Sequence, residues 1–77
     1  MKRIIQVHIS KGEKYYIAEC ADLSLVTQGK TLDELVKNLR EAIELRLEGE
    51  NLEDMGFAPS PSILANLEIQ SNIYAKT

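Results

Sequence analysis

Histidine and cysteine occur once each, as His8 and Cys20, and tryptophan is missing. One thiol cannot form an internal disulfide, and one imidazole beside one thiol falls short of the ligand set of a structural zinc site. No apolar run approaches the roughly 18 residues of a membrane span. There is no CxxC, no HExxH and no calcium-binding loop, and Gly12, Gly29, Gly49 and Gly56 are too scattered to cradle a phosphate. A charged-then-apolar leader is also lacking, and with the lone thiol this predicts a cytoplasmic protein. No cofactor or metal is expected.

What remains is a 77-residue chain, 44% hydrophobic, with net charge −3. It has room for one domain spanning residues 1–77. A core of this size leaves little net stability, and without disulfides or metal the remaining route to more is another chain. The acidic balance argues against nucleic acid as the main ligand, because neutralising phosphates requires a basic surface. The charge is uneven. Glu41, Glu44, Glu48, Glu50, Glu53 and Asp54 face only Arg46 within residues 41–54, an acidic patch on which a basic protein could dock.

Residues 3–9 alternate, with Ile5, Val7 and Ile9 on one face and Ile4, Gln6 and His8 on the other, which predicts a strand. Lys11-Gly12-Glu13-Lys14 is a polar turn, and Tyr15 to Cys20 completes a hairpin. A third short strand covers 25–28 and ends at Gly29. Thr31 and Glu34 then form a capping box, opening a helix over about 32–48. Leu32, Leu35, Val36, Leu39, Ile43 and Leu47 form its apolar stripe, and Gly49 is its C′ residue. Residues 50–61 read as a polar loop closed by Pro59 and Pro61. Ile63, Ala65, Leu67 and Ile69 alternate with Leu64, Asn66 and Glu68 in a fourth strand, and the tail 71–77 is expected to fray.

The expected architecture is α+β, in the order β-β-β-α-β, with one antiparallel-type sheet and a single helix packed on one face. One helix leaves the other face bare. By alternation that face carries Ile4, His8, Tyr15, Ile17 and Leu64, too apolar to stay wet, and Leu45 points away from the helix stripe. Ile4, Tyr15, Ile17, Leu45 and Leu64 are therefore candidate partner-interface residues. Tyr15 and Tyr16 could stack on RNA bases, but beside an acidic surface they read as packing or interface residues. Cys20 reads as core-facing and His8 as lying on the opposite face, so they form no catalytic pair. The same element order fits a ribonuclease H fold, whose two metals need carboxylates on the first strand, the helix and the fourth strand. The first strand here has none, so an enzyme is not expected.

Tyr15-Tyr16-Ile17-Ala18-Glu19-Cys20-Ala21-Asp22-Leu23, followed by Thr27-Gln28-Gly29-Lys30-Thr31-Leu32-Asp33-Glu34, resembles the HicB-like antitoxin family, including its small stand-alone members. Glu41-Ala42-Ile43-Glu44-Leu45 and Pro59-Ser60-Pro61-Ser62 extend the likeness over about residues 1–70. Ser24-Leu25 stands where the family pattern has Pro-Gly-Cys, so no tight turn is expected there. The resemblance implies a partial ribonuclease H-like fold without nuclease activity. It also implies a non-catalytic protein-binding module that forms dimers or higher oligomers and neutralises a small basic HicA-type RNA-cleaving toxin. Full-length antitoxins add a C-terminal DNA-binding domain; none is expected in residues 1–77, nor is direct DNA binding. The alternative is a stand-alone homo-oligomer with another partner or ligand.

Overall fold

The computed structural model describes residues 1–71. The chain is α+β: strands β1 (Lys2–Lys11), β2 (Tyr16–Cys20) and β3 (Leu25–Gly29), helix α1 (Leu32–Leu47) and strand β4 (Phe57–Glu68). The single four-stranded sheet has the order β3-β2-β1-β4. The expected fraying of 71–77 falls, but for Ser71, outside the described residues.

The sheet is mixed, which corrects the antiparallel expectation. β1–β2 and β2–β3 are antiparallel, whereas β4 runs parallel to β1. The cause is the helix. Two hairpin reversals leave β3 pointing along β1. A 16-residue helix then carries the chain back roughly 24 Å, so β4 starts from the end where β3 started. Parallel neighbours need such a crossover.

The core forms where the helix meets the sheet. Ile5, Val7 and Ile9 of β1, Ala18 and Cys20 of β2, Leu23, Leu35, Leu39 and Ile43 of α1, and Phe57 are all buried. The alternation read along β1 is borne out, as Ile4, Gln6 and His8 are exposed. Cys20 is buried, and His8 is on the other face. Thr31 caps α1 by accepting a 3.1 Å bond from the Glu34 N–H, and Gly49 follows the helix at φ 74°. The apolar stripe is narrower than expected: Leu32 and Val36 are exposed beside it.

Between β2 and β3 a turn closes after all, contrary to expectation. Ser24 adopts φ 49° and donates its N–H to the Ala21 carbonyl, which holds Leu23 inward. The close approach of α1 to β3 depends on Gly29. A Cβ there would lie 2.5 Å from Leu35 N and 2.8 Å from Leu35 Cα. Asn38 adds a tie, donating from Nδ2 to the Gln28 carbonyl at 2.8 Å.

The expected loop over 50–61 is half turn and half strand. Asn51 Oδ1 accepts from Asp54 N, and the Phe57 and Gly56 N–H groups return to Leu52 and Glu53 carbonyls. This compact turn delivers Phe57 into the core. β4 therefore begins at Phe57 rather than at Ile63. Between Lys2 and Ile4, β1 advances two residues while β4 advances five, Phe57 to Ser62, leaving three extra on β4. This bulge contains Pro59 and Pro61, which cannot donate to a ladder, and Ser60 at φ 52°. From Ser62 to Glu68 the strand is regular against β1.

Candidate functional site: an acid-rimmed groove beside an open strand

α1 packs over β3 and β2. It does not reach across to β4. The register sets Ile63 beside Ile5, Ala65 beside Val7 and Leu67 beside Ile9, all on the helix side of the sheet. The β1 members of these pairs are buried, but Ile63 and Leu67 are each 38% exposed and Ala65 is exposed as well. Among the described residues nothing covers these apolar side chains on the packing face of the strand, and exposed apolar surface of this kind marks a candidate binding surface.

Between that strand and the helix runs a groove of about 910 Å³, open to solvent. Ile5, Ile43, Leu47, Pro61 and Ile63 supply its apolar lining, with Leu45 at the helix edge. Glu41, Glu44 and Glu48 rim it, with Arg40 as the one cation. The spacing 41, 44, 48 follows helical periodicity, which places these carboxylates on the flank that looks toward β4. Carboxylates around an apolar floor suit an amphipathic element carrying Lys or Arg at its margins.

The six acidic residues of the expected patch are all exposed, but they do not form one cluster. Glu41, Glu44 and Glu48 belong to the groove. Glu50 pairs with Arg46 at 3.7 Å, one turn on. Glu50 and Glu53 line a separate depression with Met1, Leu52, Phe57 and Pro59, and Asp54 is tied by its backbone to Asn51. Only the first three share one surface.

The expected apolar interface is dispersed further. On the sheet face away from the helix, the register aligns Val26, Glu19, His8 and Asn66 in one row, and Gln28, Ile17, Ser10 and Glu68 in the next. Leu64 sits beside Gln6, and Ile4 beside Ser62. One row, Val26, Glu19, His8 and Asn66, thus lies between Ile17 and Leu64, and the face is mixed rather than uniformly apolar. Tyr15 lies in the hairpin turn, its carbonyl accepting from Gly12 N–H. Leu45 is 70% exposed on the helix and belongs to the groove on the opposite side of the sheet. The sequence marks Leu45 and the three glutamates as interface candidates, Ile63, Ala65 and Leu67 as one face of the fourth strand, and Pro61 as the close of a loop; nothing local reveals that α1 stops short of that face.

Among the described residues, no group of three or more His, Cys, Asp or Glu is placed to hold a metal, and no helix is long and apolar enough to cross a membrane. No family model, no curated protein and no solved structure matches this chain.

Proposed function

We propose that this chain is a non-catalytic protein-binding module whose partner is a small basic protein held along the groove between α1 and β4. The observation that carries this reading is the groove itself, with its apolar floor and its rim of Glu41, Glu44 and Glu48. In line with the resemblance to the HicB-like antitoxins, the partner is a HicA-type RNA-cleaving toxin, which binding neutralises. The same reading takes the fold as a partial ribonuclease H-like arrangement that has lost its chemistry. β1 (Lys2–Lys11) has no carboxylate, so a two-metal site of that kind has no ligand on its first strand.

The test is RNA cleavage by a purified HicA-type toxin with and without stoichiometric chain. Protection is expected from the wild type. The double variant Glu44→Lys/Glu48→Lys is expected to lose tenfold or more, about 1.4 kcal/mol per factor of ten, and added salt is expected to weaken the wild-type complex. Cleavage unaffected by wild-type chain at equimolar and higher ratios sinks the toxin reading. A second reading, a stand-alone homo-oligomer with another partner, is favoured by one specific feature, the uncovered length of β4.

A further inference from the structure

We infer that a second copy of this chain pairs its β4 antiparallel to β4 with Ala65 opposite Ala65, so that the two grooves merge into one binding cleft. β4 is one edge of the sheet, and among the described residues no strand neighbours its outer side. Its residues 62–68 are exposed on both faces. An edge of this kind is a template for another strand, and native edges are commonly blunted by charge, proline or bulging. Here those devices stand only at the two ends: Pro59, Pro61 and the bulge precede Ser62, and Glu68, the last residue, is the only charge in the regular segment 62–68.

The register follows from parity and length. Directly opposed residues point to the same side of a sheet. Odd-numbered residues must therefore oppose odd-numbered ones if both helices are to lie on one side and share their apolar stripes. Centring the pair on Ala65 uses the whole regular segment, Ser62 against Glu68, and stops before the bulge. On the helix side it sets Ile63 against Leu67 of the other copy, twice, with the small alanines at the dyad. Glu68 meets a serine, not another glutamate. A shift of two residues toward the amino terminus brings Pro61 against Leu67, and the opposite shift sets the Glu68 carboxylate against Leu64.

The shape of the single chain points the same way. Its radius of gyration is 14.9 Å and its extents are 51 × 29 × 17 Å, whereas a compact chain of this length has a radius near 11–12 Å. An interface built on one strand pair falls in the smallest class of stable ones, about 1,200 Å² or less, so concentration-dependent association is expected. In the pair, each acid-rimmed groove opens onto a floor continued by the other copy's Ile63, Ala65 and Leu67. This deepens the binding-module reading and rests on it for the cleft, but not for the pairing.

Light scattering of the full chain across a low- to high-micromolar dilution series reads the pairing directly. The wild type is expected to pass from 8.7 kDa to twice that mass. Ala65→Lys and Ala65→Glu each set like charges opposite one another at the dyad and are expected to be monomeric. Ala65 is exposed, so both should keep the wild-type circular dichroism. Mixed in equal amounts they are expected to regain the dimer, a rescue that no misfolded variant would show and no other register predicts. A wild type that stays at the monomer mass, variants that still dimerise alone, or a mixture that stays monomeric would each overturn the pairing. Titration with an amphipathic Leu/Lys peptide separates the two ideas. A dimer that ignores the peptide sinks the groove reading alone, and a monomer that binds it sinks the pairing alone.

Discussion

Gly29 and Phe57 show how much of this small fold hangs on single positions. At Gly29 the helix backbone comes so close that no side chain fits, with Leu35 N 2.5 Å from where a Cβ would stand. Gly29→Ala must push α1 off β3, and a loss of about 2–3 kcal/mol is expected, the upper range of overpacking. Gly49 is a contrast. It has φ 74° but nothing within 4 Å of a Cβ, so Gly49→Ala should cost only the left-handed penalty of about 1 kcal/mol. Urea midpoints of the two variants check the order, and equal shifts would show that the tight approach at Gly29 is absent. Phe57 is the sole phenylalanine and is 3% exposed. Phe57→Ala should cost about 3–5 kcal/mol, enough to unfold a domain of this size.

Helix α1 and strand β4 are held by different means. The helix is locally specified, with Thr31 capping the first turn and Leu35, Leu39 and Ile43 on the buried side. Thr31→Ala is expected to cost about 1 kcal/mol and Leu39→Ala about 2–5 kcal/mol. Val36→Ala, on the exposed flank, should stay within about 0.5 kcal/mol. Chemical denaturation of the three checks this, and a large loss at Val36 would mean that the flank is covered in solution. β4 has a local signature only in the alternation from Ile63 on, and its start at Phe57 has none. It is held by its ladder to β1, by Phe57 at its start, and by the Lys2 N–H donating to the Gly56 carbonyl at 2.8 Å. Much of its side-chain surface contributes nothing to the monomer.

For the molecule as a whole, the proposed pairing of β4 predicts a stability that depends on concentration. A partner strand that binds only the folded chain stabilises it by mass action. The melting temperature of the wild type is therefore expected to rise across a micromolar dilution series, and that of Ala65→Lys is expected to stay flat. Parallel thermal scans check it, and a wild-type midpoint independent of concentration would mean that no copy-to-copy contact supports the fold. The surface charges add little in the monomer. Lys2 meets Asp22 at 3.1 Å and Arg46 meets Glu50 at 3.7 Å, both solvent-exposed and of the class that contributes at most about 1 kcal/mol.

The amino-acid sequence by itself determined whatever depends on neighbours a few residues apart. The alternation of Ile5, Val7 and Ile9 set the buried face of β1, Thr31 and Glu34 set the start of the helix, and Gly49 set its end. The helical spacing of Glu41, Glu44 and Glu48 put three carboxylates on one flank. Tertiary structure alone decided the direction of β4, because the length of α1 and the two preceding reversals act together to bring the chain back parallel to β1. It also decided which apolar residues are covered. Ile9 and Leu67 have the same alternating pattern and sit side by side in the sheet, yet one is buried and the other open. The difference is the reach of a single helix laid over β2 and β3, a distance between elements that no local pattern encodes. For the same reason Leu45 and Ile4 were legible as exposed apolar residues, while their separation onto different surfaces, and the half-burial of Ile17, came only from the tertiary structure.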